Sequence, residues 1–285
     1  MRVPRVLIII TVAMLVANSA RGASIPGEIP FKLAQGFGIV VRGGIGPLTN
    51  LNFLVDTGAV PSVLSERAAA RIGVTGVDGS FALLHEQVQA AYITVDEVRL
   101  GPIRVLHLPM AVIDLSRFNR LLGTRIDAIV GLDVFARQSF SIDYKRGKIT
   151  LGLSGLTRHV LPVEIYALWG APYWVLPISL GGDNFRVLLD TGANDVALFA
   201  ARIPNLDLEG EVRSTASPTG EVTARPLRAL RLVIGDMVLN KQLAVVLDEP
   251  PGAFQGMDGL LGPTAVRLSR IEFDWEHKCL RWDTE

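Results

Sequence analysis

Cysteine is almost missing from this chain: Cys279 stands alone among 285 residues. One thiol excludes an intramolecular disulfide framework. Within "KCLRW", which reads as a strand, it is expected as a small buried apolar group and not as a nucleophile. Histidine is nearly as sparse. His85, His107, His159 and His277 are dispersed without metal-ligand spacing, so a zinc site is not expected, nor is any other cofactor. Surplus charge is missing too. The 28 basic and 28 acidic residues cancel, and without a basic stripe the chain does not read as a nucleic-acid binder. No long like-charge block or low-complexity tract is present, which argues against a disordered tail.

Long apolar runs are confined to one place. In "MRVPRVLIIITVAMLVANSARGAS", Arg2 and Arg5 precede an apolar run from Val6 to Ala17, and small residues follow. These are the three regions of a secretory signal, with cleavage between Ser19 and Ala23. The run is short of the roughly 20 residues that a membrane-spanning helix needs. The expectation is a signal peptide over residues 1–23 and an exported protein, periplasmic or secreted, with no stable membrane span after cleavage. A retained N-terminal anchor is the alternative.

What the chain does have is length and apolar content. With 49% hydrophobic residues it can bury one large core or two lobes. The second is favoured because the sequence is written twice. "NFLVDTGAVPS" at 52–62 returns as "RVLLDTGANDV" at 186–196, with Asp190 following Asp56 by 134 positions (190 − 56). The same offset joins "VRLG" to "LVIG" and "AVID" to "VVLD". "DAIVG" at 127–131 then returns as "DGLLG" at 258–262, an offset of 131 (258 − 127), so one small deletion separates the copies. "SFSIDYKRGKITL" and "SRIEFDWEHKCLRW" keep that second offset. Repeats this long indicate a duplicated lobe, since solenoid repeats are far shorter.

Both copies read as mostly strand. "FGIVVRGGIGPLTNLNFLVD", from about Phe37, and "YWVLPISLGGDNFRVLLD" are apolar runs around turn residues, hence hairpins. "SFSIDYKRGKITLGL" alternates around Lys145-Arg146-Gly147 and is another. The clearest helix is "PSVLSERAAARIG", with Ser62 or Ser65 as its cap and Gly73 as its stop. A linker is expected near 154–162, giving an N-terminal lobe over 24–156 and a C-terminal lobe over 157–285.

Two apolar–apolar–Asp-Thr-Gly-Ala turns, each followed by an apolar–apolar–Gly segment (Ile129-Val130-Gly131 and Leu260-Leu261-Gly262), resemble the aspartic proteases across nearly the whole mature chain. The resemblance implies a mainly β, bilobal acid-protease fold: two homologous β-barrel-like lobes with the active site at their interface. It implies that Asp56 and Asp190 form a catalytic dyad, one carboxylate per lobe. Two carboxylates sharing one proton supply the base and the acid that peptide hydrolysis needs. It further implies that Thr57 and Thr191 bond across the interface, that Gly58 and Gly192 let the backbone pass close to the carboxylates, and that the apolar–Gly segments run behind each loop. Ala59 and Ala193 follow the triplets where pepsin-like enzymes usually carry Ser or Thr, so the site looks like the bacterial retropepsin type in a fused chain.

The flap departs from the pepsin pattern. "GSFALLHEQVQAAY" has no Tyr-Gly pair in place; His85 and Tyr92 are the candidates there, with Thr219 and Gly220 in the C-lobe segment "STASPTGEVTARP". The expected activity is an aspartic endopeptidase on exported polypeptides, active as a single-chain monomer. A catalytically weak or inactive peptide-binding module that retains the cleft is the alternative. About 14 residues separate Ala23 from the first expected strand near Phe37, a short stretch for a self-inhibiting prosegment.

Overall fold

A computed structural model of the chain describes residues 27–82, 87–135, 138–155, 157–168, 171–203, 213–217, 220–247 and 256–285. The expected signal segment, residues 1–23, lies outside the described residues. Among the described residues no helix is long and apolar enough to cross a membrane.

Each half builds one β lobe by the same steps. In the first, strands Gly38–Ile45 and Leu48–Val55 form the expected hairpin. Leu48–Val55 then pairs in parallel with Ala128–Val130, which pairs antiparallel with Val63–Ser65, which pairs in parallel with Ile103–Ile113. In the second, Ala171–Leu180 and Asp183–Leu189 are joined through Gly181 and Gly182 at φ 66° and 105°. A two-residue hairpin loop needs those left-handed angles, and glycine adopts them without steric cost. Asp183–Leu189 then pairs in parallel with Gly259–Leu261, which pairs antiparallel with Val196–Phe199, itself parallel to Met237–Leu247. Both lobes curl toward closure. Gly43–Ile45 reaches Val98–Leu100 in one, and Ser179–Leu180 reaches Leu232–Val233 in the other. The fold is mainly β, bilobal and barrel-like, as expected.

The lobes share a platform of six strands, ordered His159–Pro162, Cys279–Thr284, Leu268–Asp274, Phe140–Asp143, Lys148–Leu151 and Glu28–Ala34. They meet where Ile142 faces Ile271 and Phe140 faces Phe273. Both platform hairpins turn alike: Arg146 N donates to Asp143 Oδ1 at 2.8 Å, and His277 N donates to Asp274 Oδ1 at 3.0 Å. An aromatic file crosses the junction, Phe135 on Phe140 at 4.2 Å and Phe140 on Phe273 at 4.4 Å, with Trp174 edge-on at 5.2 Å. All four rings are buried, and such pairs add about 0.5–1.5 kcal/mol each beyond their area.

Three local readings change. The first strand is Glu28–Ala34, ahead of Phe37. It buries Ile29 and Phe31 against the platform, but Pro30 between them hides the alternation, because proline counts against a strand in sequence. Residues 159–162, read as linker, are a platform strand paired with Cys279–Thr284. A second short helix, Ser116–Leu122, ends at Gly123 with φ 64°. Its cap position is Leu115, which offers no side-chain acceptor; Asp114 Oδ1, one residue earlier, accepts from Ser116 N at 2.9 Å, so the usual start signal is displaced. The expected helix is present as Glu66–Ile72, and Ser65 is its cap, accepting from Ala68 N at 3.2 Å; Gly73 stops it at φ 66°.

Candidate active site

Strands Leu48–Val55 and Asp183–Leu189 run in from opposite lobes and end at the same place. Asp56 N donates to Val130 O at 3.0 Å, and Asp190 N donates to Leu261 O at 3.0 Å. The apolar–Gly segments therefore pass behind the loops and fix where each aspartate leaves its strand. Upstream anchors repeat as well. Asn52 N donates to Asp127 Oδ2 at 3.0 Å, and Arg186 N donates to Asp258 Oδ2 at 2.7 Å.

The two loops grip each other. Thr57 N donates to Thr191 Oγ1 at 3.0 Å and Thr191 N donates to Thr57 Oγ1 at 3.1 Å. Each hydroxyl continues across the interface, Thr57 Oγ1 to Leu189 O at 2.7 Å and Thr191 Oγ1 to Val55 O at 2.9 Å. Both threonines are 1% exposed, so four bonds close without competition from water. The carboxyls consequently lie side by side. Gly58 N donates to Asp56 Oδ1 at 2.8 Å and Gly192 N to Asp190 Oδ1 at 2.7 Å. A Cβ on Gly192 would fall 2.5 Å from Asp56 Oδ2, and one on Gly58 would fall 2.9 Å from Asp190 Oδ2. Each loop thus wraps the other lobe's carboxyl at a distance only glycine permits.

The two carboxyls hydrogen-bond each other. Desolvation raises Asp56 above the ordinary carboxylate range, opposed by its bonds to Asp190, Gly58 and Ala59. Desolvation raises Asp190 further, helped by the negative charge of Asp56 and by their shared bond. A pair this close titrates as a unit, and it keeps one proton where isolated carboxyls have lost both. Tyr173 stands beside them, buried and held in its protonated form by desolvation first, then by Asp56, Asp133 and Asp190. Ala59 and Ala193 present no hydroxyl to the carboxyls; their amides donate to Asp56 O and Asp190 O at 3.2 Å each.

Of the flap candidates, Tyr92 and Gly220 are among the described residues, and His85 and Thr219 are not. Strands Val77–Ala82 and Gln87–Leu100 form a hairpin in the N-lobe, in register Gly79 with Ala90 and Ala82 with Gln87. His85 lies outside the described residues. Tyr92 is 37% exposed and donates to Ser80 O at 2.8 Å, so its hydroxyl is engaged within the hairpin itself. The C-lobe raises a matching hairpin, Arg213–Ser217 with Gly220–Ile234. It approaches the N-lobe helix Ser116–Leu122. Gly220 opens its second strand, and Thr219 lies outside the described residues.

Four residues with a place in the site, Ser62, Asp133, Asp127 and Asp258, were given no site role in the sequence. Ser62, read there only as a possible helix cap, donates through N and Oγ to Asp133. Asp127 and Asp258 repeat at the second offset and could have been found from the duplication. Among the described residues no group of three or more His, Cys, Asp or Glu side chains is placed to hold a metal.

A family model described as aspartyl protease matches the chain twice, over residues 40–134 and 176–264. There is one match per half, and together they cover more than half of the chain. No curated protein matches it.

Proposed function

The chain belongs to the aspartyl protease family, and from that premise we propose that it is an aspartic endopeptidase of the bacterial retropepsin-like type in which Asp56 and Asp190 activate a water against a peptide bond. The observation that carries this reading is the pair itself. Two half-buried carboxyls bonded to each other, each also held by one glycine N–H, are costly to keep in a fold that does nothing with them. A shared proton gives the pair one basic and one acidic oxygen. The ionised carboxylate takes a proton from water as the water oxygen attacks the carbonyl carbon. The protonated carboxyl then supplies a proton to the departing nitrogen as the C–N bond breaks. The four threonine bonds hold both carboxyls at one peptide bond, which converts a two-lobe contact into a fixed reacting geometry.

Polypeptides are the substrate class. The N-terminal signal pattern supports exported polypeptides in particular, with the enzyme acting as a single chain outside the cytoplasm. Residues 24–156 and 157–285 serve as the two lobes. The second reading, a peptide-binding module with little turnover, draws on Tyr92, whose hydroxyl is already bonded to Ser80 and so is engaged within its own hairpin.

One experiment separates the two. Purified protein is incubated with a diverse peptide mixture, with and without pepstatin, and new termini are read by mass spectrometry. Cleavage by wild type that falls at least about 10³-fold in folded Asp56→Asn and in folded Asp190→Asn supports the dyad. Peptide capture without cleavage supports the binding module. Undiminished cleavage in either variant removes that aspartate from the chemistry.

A further inference from the structure

The two lobes hold their aspartates by the same backbone bond but secure that bond differently. In the C-lobe, Gly262 N donates to a backbone oxygen, Asp195 O, at 2.9 Å. In the N-lobe the corresponding amide, Gly131 N, donates to a side chain instead, Ser62 Oγ at 3.0 Å. That hydroxyl is oriented in turn, because it donates to Asp133 Oδ1 at 2.6 Å while Ser62 N donates to Asp133 Oδ2 at 2.8 Å. Both donors of one serine thus converge on both oxygens of one carboxylate. At the repeat-equivalent positions the C-lobe carries Val196 and Thr264, so neither member of the pair exists there.

The pair reaches the chemistry by two routes, through Gly131 and along the loop from Asp56 to Ser62. Gly131 follows Val130, whose carbonyl accepts from Asp56 N at 3.0 Å. Ser62 closes the loop that begins at Asp56, and Ala111 N donates to Ser62 O at 3.0 Å to fix its far end. Space leaves little slack: a Cβ on Gly131 would fall 1.8 Å from Ala59 O. A shift in Ser62 therefore passes through Gly131 and Val130 to Asp56. We propose that Ser62 and Asp133 are positioning residues that set the reach of Asp56 toward Asp190, an inference that rests on the protease reading above.

A partly buried, desolvated carboxylate is an expensive way to hold a loop if only stability is at stake. Desolvation raises Asp133 above the ordinary carboxylate range, and the Ser62 bonds act against that rise. Ser62 itself is 0% exposed, so the bonds are unscreened and directional. The C-lobe shows that a backbone oxygen suffices to satisfy the same amide. What the side-chain pair adds is definition of the Asp56 loop, and reaction rate responds to that definition at the ångström scale.

The test uses the full mature chain with Ser62→Ala, Asp133→Asn and the double variant, each checked for folding by circular dichroism. Ser62→Ala leaves all charges in place, and Asp133→Asn is nearly isosteric, so one guards against the other failing to fold. The expected result is a fall in kcat of about 10- to 100-fold in each single variant with KM within about two-fold. The double variant should fall no further than the worse single one, because both changes break the same chain of bonds. In substrate-free protein, carboxyl-carbon NMR of aspartate should show the two titration steps of the dyad drawing closer together in Ser62→Ala. A folded Ser62→Ala with wild-type kcat and unchanged dyad titration overturns the proposal, as does a double variant whose losses multiply. Failure of the protease reading itself is seen separately, as hydrolysis that survives Asp56→Asn; the titration readout still decides the role of Ser62 and Asp133.

Discussion

Thr57 and Thr191 exchange amide-to-hydroxyl bonds across the lobe interface, at 3.0 and 3.1 Å, and neither has appreciable contact with solvent. Each hydroxyl accepts one bond from the opposite lobe and donates another to it. Replacing Thr57 by Val keeps the shape and deletes both, leaving Thr191 N and Leu189 O buried without partners. Stability should fall by about 2–6 kcal/mol, at roughly 1–3 kcal/mol per orphaned group. Thr57→Ser keeps the hydroxyl and should lose far less. Urea unfolding of the three proteins decides it, and equal losses in Val and Ser would show that the methyl matters and the bonds do not.

The glycines at the site divide into two kinds, and alanine should tell them apart. In Gly192→Ala the new Cβ meets a side chain, Asp56 Oδ2 at 2.5 Å, which can turn away. In Gly131→Ala it meets backbone, Ala59 O at 1.8 Å, which cannot. Gly192→Ala should stay folded, with stability changed by about 1 kcal/mol or less, yet lose about 10²-fold or more in kcat because Asp56 is displaced. Gly131→Ala should lose about 3 kcal/mol or more of stability. Paired urea and activity measurements check both, and the reverse pattern would contradict the geometry.

Stability should carry the mark of the dyad. Desolvation and the charge of Asp56 hold Asp190 well above the ordinary range, so near its titration the folded chain binds more protons than the unfolded one. The resulting stabilisation is complete below the unfolded carboxylate value, about pH 4. It is lost as pH rises from there through the folded-state value. Asp190→Asn carries no such proton. Its melting temperature should be close to wild type at pH 4 and rise above it as pH approaches 7. A gap that stays constant across that window, or closes, would mean that Asp190 is not raised.

Much of this was legible in the sequence because the duplication repeats the demands of the backbone. Asp-Thr-Gly-Ala occurs twice, since both loops need a hydroxyl to cross the interface and a glycine to pass the other carboxyl. The hairpins at Gly181-Gly182 and Lys145-Gly147 declared themselves through turn chemistry, and Ser65 and Gly73 framed their helix. The strand Glu28–Ala34 did not, because Pro30 masks its alternation and the partner of its first half lies far along the chain at Lys148–Thr150, although its second half pairs locally with Gly38–Val41. The Ser62–Asp133 pair spans 71 positions and exists in one copy only, so neither local pattern nor internal repetition could expose it. Tyr92 was visible as a tyrosine, but its bond to Ser80 depends on hairpin register, which the sequence leaves open.

Ala59 and Ala193 lead to the last prediction. A serine at either position would place a hydroxyl where the loop folds back on its own aspartate; the Ala59 and Ala193 amides already donate to Asp56 O and Asp190 O at 3.2 Å. A hydroxyl donating to a carboxylate oxygen favours the charged form and lowers the pKa. Without those donors the shared proton is held to higher pH, in the same direction as the desolvation that raises both aspartates. The upper limb of the activity profile reports loss of that proton from the pair as a unit. Wild type should therefore work best in the mildly acidic range, about pH 5 to 6, with activity persisting toward neutrality. Ala59→Ser with Ala193→Ser should move the upper limb of kcat/KM toward acid by roughly half a unit to one unit. The lower limb should move less, because the first proton leaves a pair that remains bonded through the second. Should the upper limb stay in place or shift to higher pH in a folded double variant, the missing hydroxyls are not what sets it.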